Sequence, residues 1–308
     1  MIESSSPEKP ESPPAESARV SVVIFKFTET DPIAVAFQKL LDNLQGPPVT
    51  LAVGTGNLTS LPVGFRFTDH LMTGKGATTF DHQFIMSCTC PHGTAECQNS
   101  SKCPCKIKAG NFTTSNPEIL KEGRSNALAI IECHRRCKCD IDCFGRVVQR
   151  GRKIPLEIFW AGTKGWGLRC PEKLPRGILV DKYFGEVIGP REASRRAKIN
   201  DKNGASYLFT LDKFDVPRGK YHAIDGERFG GVARFINHSC SPNLTAYAVV
   251  SDRRDWKVYD VAFFTNKIIN AGEELTYDYV ERVVGGVDED AEGWECLCGS
   301  EGCKGHIF

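Results

Sequence analysis

The C-terminal half of the chain carries short apolar runs separated by turn residues. From Ile154 onward, runs typical of β-strands alternate with Gly, Pro, Asn and Asp. The one good helical pattern in this half covers residues 190–199 (PREASRRAKI). This half is therefore predicted to be mainly β with some α. The strand-like runs are LEIFW, GILVDKYFGEVI, SYLFTLDKF, TAYAVV, DVAFFT and EELTYDYV.

The N-terminal part combines a polar tail with a small α/β segment. Residues 1–19 are mostly Ser, Pro and Glu and contain almost nothing to bury, which predicts a disordered tail. SVVIFKF then predicts a strand, and Asp31-Pro32 predicts the start of a helix that should end before Gly46. Apolar residues recur at helical spacing at Ile33, Phe37, Leu40, Leu41 and Leu44.

Nine cysteines lie between residues 86 and 149, in a segment with few apolar runs. Three zinc ions need twelve sulfur bonds, and nine thiolates supply them if three bridge two metals each. Two ordinary four-cysteine sites with one spare thiol remain an alternative, although the Cys-x-Cys pairs favour bridging. The nine are Cys88, Cys90, Cys97, Cys103, Cys105, Cys133, Cys137, Cys139 and Cys143.

A second cysteine group stands at the C-terminus. Cys296, Cys298 and Cys303 provide three ligands, whereas a structural zinc takes four. The fourth must come from elsewhere, and Cys240, Cys170 and His306 are the residues left. Since Cys240 sits in a turn ending in Ser-Pro-Asn, it is the favoured fourth ligand.

Composition and charge narrow the class of protein. The chain has 308 residues, 41% of them hydrophobic, and a formal net charge of +1, so no global field attracts a polyanion. Nucleic acid is therefore disfavoured as the main ligand, and direct nucleic-acid binding is not expected. No run of about 18 apolar residues and no secretory signal is evident, which indicates a soluble, intracellular protein. Fourteen cysteines in such a chain favour metal ligation over disulfides.

Five motifs then occur in one order and resemble a known family. They are KGWGL (164–168), YLFTLD (207–212), RFINHSCSPN (234–243), ELTYDY (274–279) and CLCGSEGCKG (296–305). Together they resemble SET-domain protein lysine methyltransferases. The nine-cysteine block followed by FGRVVQRG (144–151) resembles the pre-SET module of the heterochromatin-type enzymes that methylate lysine-9 of histone H3.

The resemblance implies a fold and a domain order. The expected fold is a pseudoknot of small β-sheets, with a pre-SET three-zinc cluster on one side and a post-SET zinc site. RFINHSC and ELTYDY would be threaded together. The predicted boundaries are a disordered tail at 1–19, an α/β segment at 20–81, pre-SET at 82–150, SET at 151–281, a linker at 282–291 and post-SET at 292–308.

The resemblance also implies the reaction. Methyl transfer from S-adenosylmethionine to a lysine amine requires an unprotonated amine, which an apolar channel favours by disfavouring the charged form. Tyr279 would place its hydroxyl at the reacting nitrogen, and Tyr183 would supply a second one. Tyr277 departs from the phenylalanine common at this position in the heterochromatin-type enzymes, which suggests a product with one or two methyl groups.

Further residues are assigned by the same resemblance. Phe209 and Asp212, with Asp215 as a weaker candidate, would meet the histone H3 tail, which could add a strand to a sheet edge. The implied enzyme would act in the nucleus on chromatin, in heterochromatin formation and gene silencing. The residues expected to contact S-adenosylmethionine are Gly165, Trp166, Gly167, Tyr207, Arg234, Asn237, His238 and Phe308.

The same residues allow alternative functions. A SET methyltransferase could act on another histone lysine or on a non-histone lysine. A zinc-stapled chromatin-binding module without catalysis explains the cysteines, but not the joint presence of Tyr279, GWG and RFINHSC. His238 and Cys240 as a hydrolase dyad would need an orienting group and an oxyanion loop, and the sequence shows neither.

Overall fold

The computed structural model describes residues 25–61, 64–77, 129–133, 136–143, 145–203, 206–214, 216–217, 219–251, 257–280 and 293–307. Five predicted zinc ligands lie outside these residues, as do Asp215, Phe308 and the N-terminal tail. The five are Cys88, Cys90, Cys97, Cys103 and Cys105. None of the helices in the described part is long and apolar enough to cross a membrane.

The described residues form two α-helices among many short strands. Helix α1 is Pro32–Leu41 and helix α2 is Pro190–Asn203, with short 3-10 helices at Leu58–Ser60, Gly162–Lys164 and Val232–Phe235. The strands are β1 (Phe25–Phe27), β2 (Val49–Leu51), β3 (Gly54–Gly56), β4 (Arg66–Phe67), β5 (Met72–Thr73), β6 (Ile130–Ile131), β7 (Leu156–Trp160), β8 (Trp166–Arg169), β9 (Leu179–Lys182), β10 (Glu186–Ile188), β11 (Leu208–Thr210), β12 (Ala223–Asp225), β13 (Phe229–Gly230), β14 (Asn237–His238), β15 (Leu244–Val250), β16 (Asp260–Thr265), β17 (Thr276–Tyr277), β18 (Trp294–Glu295) and β19 (His306–Ile307).

Small sheets build the molecule, as the resemblance predicted. Within the described residues, two sheets have four strands, in the orders β11-β12-β10-β5 and β6-β15-β16-β9. A third sheet has three strands in the order β2-β7-β8, and the remaining strands form pairs. Strand β6, just before Cys133, joins the cysteine-rich segment to β15, where Ile130 pairs with Val249. The prediction of a mainly β fold is confirmed.

The N-terminal segment is part of the main core. Asp31 caps α1 by accepting the Ile33 amide at 3.0 Å, and Phe37 and Leu41 turn their side chains into the core. The helix ends at Leu41, short of the predicted Leu44, because the next residues turn toward β2. Strand β2 then pairs in parallel with β7. This segment therefore extends the sheet that carries the GWG turn.

Candidate functional site

Two chain segments cross at the centre of the site. Strand β14 pairs in parallel with β17, so that Asn237 lies opposite Thr276 and His238 opposite Tyr277. The Asn243 side chain secures the crossing, since its Oδ1 accepts the Thr276 amide at 2.9 Å and its Nδ2 donates to the Glu274 carbonyl at 2.8 Å. RFINHSC and ELTYDY are thus brought together, as predicted.

Five aromatic rings pack against one another next to this crossing. The ring centroids of Tyr277 lie 4.6 Å from Tyr279, 4.8 Å from Phe263 and 6.1 Å from Phe209. Tyr183, the residue directly after β9, lies 5.5 Å from Phe209. The cluster therefore combines rings from three strands, β11, β16 and β17, with the residues that follow β9 and β17. Its rings are largely apolar and carry three phenolic hydroxyls.

Two of these hydroxyls have defined partners. Tyr183 donates to the Tyr207 carbonyl at 2.7 Å, and Tyr279 donates to the Ile236 carbonyl at 2.8 Å. Tyr183 is 5% exposed whereas Tyr279 is 39% exposed, so the cluster has a closed end and an open end. Loss of hydration raises the pKa of both groups above the ordinary tyrosine value. Both hydroxyls therefore stay neutral donors at physiological pH.

The GWG turn lies beside the crossing. Gly165 adopts φ +78°, a conformation that favours glycine, and a Cβ at Gly165 would meet open space. A Cβ at Gly167 would lie 3.1 Å from Glu274 Oε1. The Trp166 indole points into the core, where its N–H donates to Ser60 Oγ at 3.0 Å. Trp166 can therefore contact a ligand beside this turn through its backbone, but not through its indole ring.

Glu274 organises the polar side of this turn. Its carboxylate accepts the Asn237 amide at 2.9 Å and forms an ion pair with Lys164. Asn237 Nδ2 also approaches the Trp166 carbonyl at 3.4 Å. These contacts fix the orientation of the Asn237 amide and leave its Oδ1 as the acceptor for a ligand.

The His238 ring is held inside the protein. Its Nδ1 accepts the Tyr279 amide at 3.1 Å, which places the proton of the neutral ring on Nε2, 3.4 Å from Cys240 Sγ. Burial is the largest influence and lowers the pKa of His238, so the ring is neutral at pH 7. Both ring nitrogens are thus engaged within the chain.

Arg234 is enclosed by aromatic rings. Its guanidinium carbon lies 4.0 Å from the Tyr207 ring centroid and 4.6 Å from that of Phe65. Its Nε donates to the Gly226 carbonyl at 3.0 Å. These cation–π contacts hold the Tyr207 ring beside the aromatic cluster.

The C-terminal cysteines form a four-sulfur group. The Sγ atoms of Cys240, Cys296, Cys298 and Cys303 lie within 4.8 Å of one another, and those of Cys240 and Cys296 are 3.7 Å apart. Tetrahedral zinc with Zn–S bonds of about 2.3 Å separates its sulfurs by about 3.8 Å. The donor set and its spacing therefore fit zinc. Cys170 is fully buried in the core and His306 is outside this group.

Four of the nine pre-SET cysteines fall in the described part of the chain. Cys133, Cys139 and Cys143 have Sγ atoms within 4.8 Å of one another, and Cys137 is buried nearby in sequence. Buried thiols at this spacing fit part of a zinc cluster. Because the other five cysteines lie outside the described residues, the count of three zinc ions stays a prediction.

Family models match most of this architecture. The SET domain model matches residues 165–280, and the Pre-SET motif model matches residues 42–146. The H3 lysine-9 specific histone-lysine N-methyltransferase dim-5 of Neurospora crassa is 37% identical over 277 residues, covering 79% of this chain and 83% of that protein. The chain belongs to the SET-domain histone-lysine methyltransferase family.

Solved SET-domain structures agree with the fold. A structure that addresses the product specificity of histone lysine methyltransferases is 36% identical, with a TM-score of 0.70 over 86% of this chain and all of that one. Kryptonite in complex with mCHH DNA, an H3(1-15) peptide and SAH is 28% identical, with a TM-score of 0.65 over 85% of this chain and 51% of that one.

Three residues beside this SET-domain site were not predicted from the sequence. Phe263 closes the aromatic cluster, Glu274 holds Asn237, and Asp278 pairs with Lys304 at 3.1 Å. Glu274 and Asp278 lie inside ELTYDY, so that motif gave a signal for both. Phe263 lies in DVAFFT, where nothing separates it from an ordinary core residue.

Proposed function

We propose that this protein transfers methyl groups from S-adenosylmethionine to a lysine side chain of histone H3, with lysine-9 as the target, on chromatin in the nucleus. The observation that carries the proposal is the aromatic cluster that holds Tyr279 at its open end, near the GWG turn. The family relationship supports it, since the Neurospora crassa relative is H3 lysine-9 specific. Action in heterochromatin formation and gene silencing is part of the same proposal.

The aromatic cluster suits a lysine side chain. A free lysine has a pKa of about 10.4, and apolar walls lower it by disfavouring the charged amine. Phe209, Phe263 and Tyr277 would supply those walls, and the neutral hydroxyls of Tyr183 and Tyr279 would orient the nitrogen. Positioning and electrostatics of this kind are what an in-line displacement requires.

The histone tail has a sheet edge available to it. In the order β11-β12-β10-β5, strand β11 stands at the edge of the described sheet and carries Phe209 of the aromatic cluster. An extended tail pairing with β11 would therefore bring a lysine toward the cluster. Asp212 lies two residues beyond the end of β11 and is half-buried, and its charge would face basic residues of the tail. Burial raises the pKa of Asp212, so a cationic partner would favour its ionised form.

S-adenosylmethionine supplies the activated methyl group when it is bound. Gly165 and Gly167 would let the backbone approach it, with the Trp166 backbone between them. Asn237 would offer Oδ1, while Arg234 and His238 would act by holding Tyr207 and Tyr279 in place. Phe308 remains a proposed cover for the adenine. The four C-terminal cysteines would hold one zinc ion that ties this end of the chain to the site.

The test is methyl transfer from radiolabelled S-adenosylmethionine to core histones, followed by H3 peptides with single lysines replaced. We expect label on H3 and its loss when lysine-9 is replaced. Tyr279→Phe should lower the turnover rate by about 100-fold or more, as expected when a group aimed at the reacting atoms is removed. Calorimetry should still detect S-adenosylmethionine binding to that variant. A chain that binds H3 without binding this cofactor would instead be a chromatin-binding module.

A further inference from the structure

Helix α2 presents a row of cations to solvent. Arg191, Arg195 and Lys198 are exposed and follow one another at i, i+4 and i+7, which places them on one face of the helix. Lys75 joins them, with its side chain 80% exposed and its Nζ 3.8 Å from the Glu192 carboxylate. We call these four residues the basic face. The mechanism proposed above uses none of them.

The described carboxylates near this face are already paired, and they are buried except for Glu186, whose side chain is 21% exposed. Arg196, on the inner side of α2, donates to Glu186 and to Asp225, each at 2.6 Å. Glu192 is 7% exposed and accepts from Arg196 at 3.0 Å and from Arg195. Arg195 and Lys75 of the basic face also lie close to the Glu192 carboxylate, while their side chains remain 57% and 80% exposed. The cations therefore face solvent, and the paired carboxylates lie largely beneath the helix. A chain with a net charge of only +1 can still carry a strong local positive potential here, since screening acts over about 10 Å.

The basic face is rigidly attached to the strand proposed to receive the histone tail. Asp225, which binds Arg196, belongs to β12, and β12 pairs with the edge strand β11. A histone tail is itself basic and would be repelled by this face. The polyanion that accompanies a histone tail in chromatin is DNA, which carries one negative charge per about 1.7 Å of duplex axis.

We propose that the basic face docks on the phosphate backbone of the DNA that accompanies the histone substrate. The choice of DNA as the partner rests on the proposed function. Contacts would be electrostatic and independent of base sequence, because exposed Arg and Lys side chains reach phosphates without entering a groove. Cations spaced by about 6 Å and 4.5 Å along α2 can each meet a phosphate. Direct nucleic-acid binding, which the net charge of the whole chain makes unexpected, would then occur at the basic face.

The test uses the full-length, zinc-loaded protein and a short blunt-ended DNA duplex. The triple variant Arg191→Gln, Arg195→Gln and Lys198→Gln should raise the DNA dissociation constant at least tenfold, and lower the slope of log K against log salt by about 2 to 3. Its activity on free H3 peptide should stay within twofold of the unaltered protein, while activity on nucleosomes falls. Thermal melting checks that both proteins are folded.

A matched control removes the same charge elsewhere. Lys39, Lys173 and Lys267 are exposed and distant in sequence from α2, and their replacement by Gln should leave DNA binding nearly unchanged. Equal DNA binding by the basic-face variant and the unaltered protein overturns the proposal. So does a loss of nucleosome activity without a loss of DNA binding, which would point to an acidic protein surface. Absence of peptide methylation by the unaltered chain would refute the proposed function alone, since DNA binding is read separately.

Discussion

Tyr183 and Tyr279 of the aromatic cluster differ both in exposure and in the backbone carbonyl that each hydroxyl binds. Tyr183 is closed in and bound to the Tyr207 carbonyl, whereas Tyr279 is bound to Ile236 at the open end. The motifs identified both tyrosines from the sequence. The motifs also contain Glu274 and His238, but the contacts of these side chains with Asn237 and with the Tyr279 amide join positions tens of residues apart, so no local pattern could show them.

Tyr277 provides a test of product specificity. Its ring is packed between Phe209 and Phe263, so Tyr277→Phe should keep the ring in place and remove only the hydroxyl. That hydroxyl can hold a water molecule in the space that a growing methylammonium needs. We expect the unaltered protein to stop at one or two methyl groups and the variant to accumulate trimethyl-lysine. Mass spectrometry of an H3 peptide at long reaction times measures this.

Tyr247→Phe is the matched control for Tyr277→Phe. Tyr247 packs against Phe264 in a separate core cluster, so its hydroxyl should have no effect on the product. Rapid trimethylation by the unaltered protein would contradict the hypothesis. So would an unchanged product distribution in the Tyr277→Phe variant.

The elements of the SET region were predictable where strands are long and half-buried. LEIFW, TAYAVV and DVAFFT correspond to β7, β15 and β16 almost residue for residue. EELTYDYV yields only the two-residue strand β17, whose one strand partner in the described part of the chain is the equally short β14. Helix α2 begins at the predicted residue and runs four residues longer, to Asn203.

The C-terminal hairpin is an element whose docking can be tested by one side chain. Strands β18 and β19 pair with each other, and Lys304 just before β19 reaches Asp278 of ELTYDY at 3.1 Å. Its backbone amide also points to Cys240 Sγ at 3.4 Å. The side chain of Lys304 therefore links the hairpin to the turn between Tyr277 and Tyr279.

Lys304→Met should loosen this docking without removing a zinc ligand. Because Lys304 is 57% exposed, its ion pair is worth at most about 1 kcal/mol, roughly a fivefold change in affinity. We expect the dissociation constant of S-adenosylmethionine to rise two- to fivefold in calorimetry, with zinc content unchanged. Lys304→Arg should retain most of the affinity, and Lys267→Met serves as a charge-matched control. An unchanged cofactor affinity in Lys304→Met would show that the pair has no positioning role.

At the scale of the whole molecule, the sequence predicted the parts better than their assembly. The N-terminal segment was predicted as a separate α/β unit, whereas β2 extends the β7-β8 sheet and Arg152 donates to the Pro47 carbonyl at 2.6 Å. Trp166 likewise donates to Ser60, 106 residues away. Parallel pairing of three-residue strands leaves no periodic signal, so such contacts could not be predicted from hydrophobic pattern alone. The domain boundaries therefore stay predictions.

Cys240 connects the RFINHSC segment to the three C-terminal cysteines, and replacing it tests whether this connection is needed for zinc binding and activity. Cys240→Ser should bind one zinc ion fewer than the unaltered protein, because its Sγ lies 3.7 Å from that of Cys296 and completes the four-sulfur group. Most activity should be lost with it, since the C-terminal segment would no longer be tied beside His238 and Tyr279. The pre-SET metals should remain, because their cysteines belong to a separate group.

Elemental analysis of zinc and the peptide assay, run on the same samples, measure both effects of Cys240→Ser. Cys170→Ala is the matched control and should keep the full zinc content, since Cys170 is fully buried in the core. If Cys240→Ser retains its zinc and its activity, then His306 or Cys170 is the fourth ligand. In that case the C-terminal segment would have to reorganise, because the described arrangement places neither residue with Cys296, Cys298 and Cys303.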